Sequence, residues 1–314
     1  MNSLSCCDLS MLQQRAAVYR IIRDFFYERG VLEVEAPLLG EVISPDPFVN
    51  TLSVEIASSS FALQPSPEIY MKRLLSSGVT DCYYLGKAFR NDVPGKRHSL
   101  EFTLLEWYRL GLSVEQLIEE IKCLLTSLFS LTHFEHCTYD SLFYSTFGVG
   151  SNGLSDTVLI QLAHQFLDLS ETMSAEIKKN PSVAFDLLFS SCIQPNIGLL
   201  APLFVLDFPI CNQVTLAAHK TRGAHQVEDR FELFYNGLEI ANGYHELDDS
   251  QELETRLIAN GMASMPGFQK LLNAQKHYFP ACSGVALGVD RLLMAHFKLN
   301  DIRHVLSFPI HDMF

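Results

Sequence analysis

The densest run of reactive side chains in the sequence is Phe89-Arg90-Asn91-Asp92, a short basic loop, and then His98-Ser99-Leu100-Glu101-Phe102-Thr103-Leu104-Leu105-Glu106-Trp107-Tyr108. Side chains of a strand alternate between faces, so Phe102, Leu104, Glu106 and Tyr108 share one face. An aromatic ring, a carboxylate and a phenol side by side suit a binding surface, with the ring to stack on a planar base and the polar groups to hold a substrate. The same pattern also fits a half-exposed strand with ordinary salt bridges. A second group is Arg230-Phe231-Glu232-Leu233-Phe234-Tyr235-Asn236-Gly237-Leu238-Glu239. Asn-Gly between apolar runs is a hairpin signal. A two-residue turn there pairs Phe234 with Glu239 and Glu232 with Ala241, which puts Glu232 and Glu239 diagonally on one face. Two such carboxylates repel unless a cation sits between them, and magnesium held with nucleotide phosphates suits the pair; two solvated glutamates on an exposed face fit as well. Glu246 follows Gly243, an expected break in the strand, so its facing is not read from parity. The third group is Gly284-Val285-Ala286-Leu287-Gly288-Val289-Asp290-Arg291. Its glycines allow close approach of a ligand to the backbone, and Arg291, where strand becomes helix, is placed to meet a phosphate. A glycine-punctuated turn is also a common tight connection.

The elements that must carry these groups are legible from periodicity. Residues 11–29 read as a helix with Leu12, Ala16, Tyr19, Ile22 and Phe26 on one face, capped after its end by Gly30. Residues 31–39 are extended and broken at Pro37, and residues 49–63 read as strand. Residues 66–76 have helical character, 82–89 read as a strand, 90–100 with Pro94-Gly95 as a loop, and 100–108 as a strand. Ser113 with Gln116 is a capping-box pattern opening a helix whose buried stripe is Val114, Leu117, Ile118, Ile121, Leu124, Leu125 and Leu128. Residues 139–200 read as two or three short helices, a helical insertion beside the sheet. Residues 204–208, 231–235 and 238–242 read as strands, and 284–289 as a strand entering a helix at 291–297. Mixed strands with helices outside them give an α+β class built on an antiparallel sheet flanked by helices. No linker or repeat interrupts the 314 residues, so a single domain is expected.

Nearly half of the residues are apolar, ample for a large core, and the net charge of −13 disfavours a wide nucleic-acid footprint. No apolar run is long enough to span a membrane, and the first ten residues lack the pattern of a secretory signal. None of the eight cysteines forms a CxxC pair, so a cytoplasmic protein without zinc or disulfides is expected.

The three groups, in this order, resemble motifs 2 and 3 of class II aminoacyl-tRNA synthetases, and Arg29-Gly30-Val31-Leu32-Glu33-Val34-Glu35-Ala36-Pro37 is similar to motif 1, the dimerisation element. Ser66-Pro67-Glu68, Met71-Lys72-Arg73-Leu74 and Glu239-Ile240-Ala241-Asn242-Gly243-Tyr244-His245-Glu246-Leu247 resemble the lysine branch. The chain starts almost at the motif 1 helix, so no anticodon-binding domain is expected. Leu105–Arg109 and Cys282–Arg291 are similar to the elongation factor P lysine ligases, a paralogous family, and Ala286 stands where the tRNA enzymes usually carry glycine. That difference implies a pocket altered for a lysine isomer such as (R)-β-lysine.

The resemblance implies ATP and magnesium as cofactors, lysine or β-lysine and elongation factor P as partners, a homodimer, and no role for tRNA or membrane. It places ATP on Arg90, Asn91, Asp92, His98, Ser99, Phe102, Glu239, Ile240, Gly288 and Arg291, with Arg90 and Arg291 the catalytic pair and magnesium on Glu232 and Glu239. The amino acid is placed on Ser66, Pro67, Glu68, Tyr108, Asn242, Glu246 and Ala286. Lysine carboxylate would attack the α-phosphorus of ATP, and the adenylate would pass its acyl group to a protein lysine. Lys96, Arg97 and His98 form a candidate contact for an acidic acceptor, and binding of the ATP tail or simple solvation fits them equally. Asp92 departs from the family's usual glutamate, and Ser99-Leu100 from the usual Asn-Pro; both touch the expected ATP site. The competing readings are a lysine-activating enzyme with another acceptor and a non-catalytic binding or regulatory paralogue.

Overall fold

An arginine decides how the first helix packs. Helix α1 (Leu9–Tyr27) starts at an Asp8 cap whose side chain accepts the Met11 N–H at 2.8 Å. It buries Arg15, Val18, Ile22, Phe25 and Phe26. That face is rotated from the expected one, and Ala16 is exposed, because Arg15 is neutralised inside the fold. Its guanidinium meets Asp290 at 2.6 Å and donates to Thr103 Oγ1 at 2.7 Å and to the Val305 carbonyl at 3.0 Å. The Thr103 N–H closes the knot by donating to Asp290 at 2.6 Å. Burial opposes the charge of Arg15, yet Asp290 and Tyr19 hold its pKa above the ordinary value.

The computed structural model describes residues 7–40, 51–56, 59–93, 95–210 and 215–309. After α1 come β1 (Leu32–Glu33), β2 (Leu39–Gly40), β3 (Leu52–Ile56), β4 (Ser59–Leu63), α2 (Glu68–Ser76), β5 (Cys82–Phe89), β6 (Glu101–Leu110) and α3 (Val114–Phe129). Then follow β7 (Glu135–Thr138), α4 (Tyr139–Phe147), α5 (Asp156–Phe166), α6 (Glu171–Lys179), α7 (Val183–Leu188), β8 (Leu203–Pro209), β9 (His219–Arg222), β10 (His225–Tyr235) and β11 (Leu238–His245). The chain closes with α8 (Ser250–Ala259), α9 (Pro266–His277), β12 (Cys282–Gly288) and α10 (Val289–His296).

Two compact units divide these elements. The first is Met1–Thr132, Val214–Leu216 and Gly243–Phe314; the second is His133–Gln213 and Ala217–Asn242. In the first, β6 pairs antiparallel with β5 and with β12, and β1 adds to β5 in parallel. Here β3 and β4 form a hairpin joined by β2. The expected single strand over residues 49–63 is therefore folded back on itself; its residues 49, 50, 57 and 58 lie outside the described ones, as do Pro94, Cys6 and Cys211. Helix α3 has the expected capping box and stripe. Gly30, at φ +66°, turns the chain out of α1. Phe26 stacks on Tyr83 with centroids 4.5 Å apart and meets Trp107 edge-on at 5.4 Å. Ile69 of α2, Leu253 and Leu257 of α8, and Phe268, Leu271 and Leu272 of α9 form a neighbouring apolar cluster.

In the second unit β8 pairs antiparallel with β10 and parallel with β7, and β9 pairs antiparallel with β10. Helices α4 to α7 cover residues 139–188, and their core is aromatic: Tyr139 stacks on Phe189 at 4.9 Å and Phe143 packs on Phe147 at 4.6 Å. The Asn236-Gly237 turn forms as expected, with both residues at positive φ, 50° and 69°. Strand β11 runs on through Gly243 to His245, so the expected break is absent. Gly243 does not adopt positive φ and serves as an ordinary strand residue. Each unit thus has the α+β character read from the sequence, with strands paired mostly antiparallel and helices beside them.

Removing one partner of the buried Arg15–Asp290 pair strands the other charge. Asp290→Ala is expected to lower unfolding free energy by about 3–5 kcal/mol, read from urea unfolding curves; a loss under about 1 kcal/mol, the range of exposed pairs, would contradict the burial seen here.

Candidate functional site

Strand β6 alternates as its sequence requires. Trp107 faces α1 and donates its indole N–H to Glu120 at 3.0 Å, while Glu106 and Tyr108 point the other way. The Tyr108 hydroxyl donates to Glu106 Oε1 at 2.8 Å, and Ser66 donates to Glu106 Oε2 at 2.7 Å. Ser66 Oγ also accepts the Glu68 N–H at 3.1 Å, fixing the entry to α2. Helix α2 contributes Glu68 and Lys72, one turn apart and 2.7 Å from each other. Lys72, only 1% exposed, reaches Glu246 at 2.5 Å as well. Glu68 Oε1 also accepts the Tyr244 hydroxyl at 2.7 Å. Of the expected amino-acid residues, Ser66, Glu68, Tyr108 and Glu246 therefore converge in one buried acidic pocket, with Pro67 buried at the N-terminus of α2. Ala286, half-buried on β12, lies opposite Glu106 in the strand register.

Burial makes these carboxylates hard to ionise. It pushes Glu106 up to about 7, with Glu68 adding repulsion, and Glu246 up to about 8 against the opposing pull of Lys72. Burial alone would depress the Lys72 ammonium, but Glu246 and Glu68 outweigh it and its pKa is raised. The phenols of Tyr108 and Tyr244, raised first by burial and then by the surrounding glutamates, remain donors. Gly284 on β12 makes the convergence possible: an added Cβ would lie 2.4 Å from Glu246 Oε1 and 2.5 Å from the Tyr108 ring.

Farther along β6, the Arg90 guanidinium lies 5.4 Å from the centre of the Phe102 ring. Its Nε is buried and lacks a hydrogen-bond partner among the described residues, an opening for an anion. The Arg90 N–H donates to the Leu100 carbonyl at 3.0 Å, and Gly95 pairs with His98 across the tip of the loop. Asn91 and His98 are exposed, Asp92 half-buried and Ser99 buried. Gly288 ends β12, and Arg291 stands half-exposed in the first turn of α10, a helix that begins at Val289, two residues before the expected start.

The second unit carries the paired acids. Glu232 is buried and ion-paired with Arg230, which also meets Glu228 at 3.3 Å and donates to Asn242 Oδ1 at 3.1 Å. Burial raises Glu232 strongly; Arg230 opposes this and Glu239 adds to it. Ile240, next to Glu239 on β11, is buried and apolar. A hard divalent cation would relieve the repulsion between Glu232 and Glu239, so the donor set fits magnesium. Among the described residues no three His, Cys, Asp or Glu side chains converge on a metal position, so remaining ligands would come from phosphate or water oxygens.

Lys72, Glu106 and Tyr244 were not among the expected site residues. Glu106 was visible by parity on the Phe102 face, whereas Lys72 and Tyr244 gave only the signal of lying inside lysine-branch segments.

Comparison with known proteins gives the family. Residues 8–312 match the family model of class II tRNA synthetases (D, K and N), and the chain belongs to that family. Proteins named elongation factor P–(R)-β-lysine ligase are similar throughout: those of Vibrio cholerae and Vibrio vulnificus are 39% and 38% identical, that of Haemophilus ducreyi 36%, each across 96% of this chain and 94–96% of the relative. Among class II synthetases, then, this chain falls with the elongation factor P–(R)-β-lysine ligases, and it is a ligase.

A carboxyl whose pKa rises on folding holds a proton that the unfolded chain, titrating near about 4.3, has already released. Stability from Glu106 and Glu246 is therefore complete below that value and is lost as pH climbs toward their folded values of about 7 and about 8. The urea midpoint of the unliganded protein is expected to fall more steeply between pH 5 and pH 8 in the wild type than in Glu246→Gln; equal slopes would show that Glu246 titrates normally. Gly284→Ala is expected to cost about 1–3 kcal/mol by overpacking, measured by the same unfolding curves, with an unshifted midpoint contradicting the crowding.

Proposed function

We propose that the protein activates (R)-β-lysine with ATP as an adenylate and transfers it to a lysine side chain of elongation factor P. The observation carrying this reading is one face of β6. The acidic pocket at Tyr108 and the Arg90–Phe102 pair lie six residues apart on that strand, roughly 20 Å at ~3.3 Å per residue. An amino acid joined through a phosphate to adenosine covers such a span.

Adenine stacks on Phe102, with Asn91, Asp92, His98 and Ser99 around the nucleotide and Arg90 on its α-phosphate. Arg291 takes the γ-phosphate, and Ile240 and Gly288 offer backbone to the nucleotide. Tyr108 and Glu246 hold the side-chain ammonium of the amino acid and Glu68 its second amine, beside Ser66, Pro67, Asn242 and Ala286. The substrate carboxylate, ionised at neutral pH, attacks the α-phosphorus and pyrophosphate departs. No general base is needed, so the protein's work is positioning and charge neutralisation. The acceptor amine then attacks the acyl carbon of the adenylate and AMP leaves. Glu232 and Glu239 hold magnesium, which neutralises phosphate charge when bound.

Ala286 opposite Glu106 supports a pocket shaped for the β-isomer, and the names of the relatives support both the isomer and the acceptor. The net charge of −13 argues against tRNA as acceptor. Lys96, Arg97 and His98 are exposed on the loop after Arg90 and offer a contact for an acidic acceptor. We read the chain as one catalytic domain, with residues 139–200 an insertion. Exposed Tyr27, Leu32 and Leu38 in and beside the motif 1 segment support a homodimer. No helix of the described residues is long and apolar enough to cross a membrane, in keeping with a cytoplasmic ligase.

Lysine-driven exchange of pyrophosphate into ATP tests the first half-reaction: Arg90→Ala and Arg291→Ala should each lower it about 10²–10³-fold, and Glu232→Gln should raise the magnesium requirement. Labelled β-lysine supplied with ATP, elongation factor P and tRNA tests the second. Label on the protein is expected; label on tRNA alone would overturn the proposal.

A further inference from the structure

Lys72 takes part in no step above, yet it is buried as deeply as any charge in the acidic pocket. Three carboxylates, Glu68, Glu106 and Glu246, share that pocket with this single ammonium. The ionised pocket is thus short of two positive charges. A diamino acid carries two ammonium groups at neutral pH, one for each unpaired carboxylate. An amino acid with one ammonium leaves a buried carboxylate unpaired, which is costly in a dry pocket.

We propose that Lys72 is a resident counter-ion: it positions Glu68 and Glu246 for the incoming amines and sets the charge deficit at two, so that the pocket accepts a diamino acid. The inference rests on the functional reading for its substrate class. The geometry favours it over simple helix stapling. Lys72 Nζ bridges Glu68 on its own helix, at 2.7 Å, to Glu246 beyond the end of β11, at 2.5 Å. It thereby ties together the two carboxylates assigned to different amines. The Tyr244 ring lies under the same ammonium at 5.4 Å. The other titratable groups facing it are Glu106 and Tyr108 of β6 and the Cys282 thiol of β12.

A neutral side chain in place of Lys72 leaves three carboxylates in low dielectric with no cation, and at least one takes up a proton. A protonated carboxyl loses its charge-assisted bond to an ammonium. The test compares wild type, Lys72→Met and Lys72→Arg. In Lys72→Met the KM for β-lysine in pyrophosphate exchange should rise at least about tenfold with kcat at saturation nearly unchanged. The KM for ATP should stay put, and the fall of the β-lysine KM with rising pH should move to higher pH. Lys72→Arg, which keeps the charge, should recover most of the loss. Carbon NMR titration of the glutamate carboxyls in the unliganded proteins provides a readout without substrate: the raised titrations should move further up in Lys72→Met and not in Lys72→Arg. A folded Lys72→Met with unmoved carboxyl titrations overturns the counter-ion role, as does a rise in both KM values with an unmoved pH profile. Should Lys72→Met fail to fold, Lys72→Gln takes its place in both measurements. Absence of lysine-driven exchange in the wild type sinks the functional reading alone, and the NMR titration then decides the role of Lys72.

Discussion

Three glutamates buried around one ammonium repel one another, and the first unit is arranged to hold them together regardless. In water such repulsion is weak; in a pocket closed to solvent it is several times stronger. Backbone placement supplies the restraint. Glu106 is fixed by β6, paired on both edges by β5 and β12. Glu68 is fixed by the first turn of α2, whose other face is anchored through Ile69 in the cluster with α8 and α9. The Glu246 N–H donates to the Cys282 carbonyl at 3.0 Å, which ties that residue to β12. The backbone that bears each carboxylate is thus fixed. The hydroxyls of Ser66 and Tyr108 then satisfy the two oxygens of Glu106, and the Tyr244 hydroxyl joins Lys72 on Glu68 Oε1.

A pocket under that constraint has little freedom in its walls. Gly284 is the clearest consequence, since any side chain there would occupy the space of Glu246 and Tyr108. The opposite face of β6 shows the complementary solution: Trp107 and Thr103 turn away into apolar and ion-paired surroundings contributed by α1. One strand thereby carries the acidic pocket on one side and the packing of the first helix on the other, and the Arg15–Asp290 pair keeps that helix seated. The second unit treats charge differently. Its buried acids have arginine or lysine partners in place: Arg230 for Glu228 and Glu232, Lys220 for Asp207 and Asp229. The first unit leaves its acids short of cations; the second nearly balances them and leaves repulsion chiefly between Glu232 and Glu239.

What could be read from the sequence follows from the range of the interactions. Strand parity and turn chemistry act over a few residues, so the face of β6, the Asn236-Gly237 turn and the capping box of α3 were legible. Lys72 was not. A lysine four residues after a glutamate on an amphipathic helix has the pattern of an exposed pair, and only Glu246, far along the chain, turns it into a buried ion. Arg15 misled the reading of α1 for the same reason: its partner Asp290 lies at the other end of the sequence. Glycine permits a strand break, but nothing in the fold requires one at Gly243. The strand over residues 49–63 was legible in type but not in its reversal, which leaves no proline or Asn-Gly mark.

The departures in the loop after β5 yield to the same division between main chain and side chain. The resemblance to class II synthetases leads to an expected Asn-Pro where this chain has Ser99-Leu100. The contact closing the base of the loop runs from the Arg90 N–H to the Leu100 carbonyl, and the tip is closed by main-chain pairing of Gly95 with His98. Neither contact depends on side-chain identity, and Ser99 is small enough to be buried. Asp92, half-buried two residues past Arg90, is one methylene shorter than the usual glutamate. Arg90 itself is set by the end of β5 and by its packing on Phe102. The position of the guanidinium is therefore set without either changed side chain, and the shortened side chain is that of Asp92.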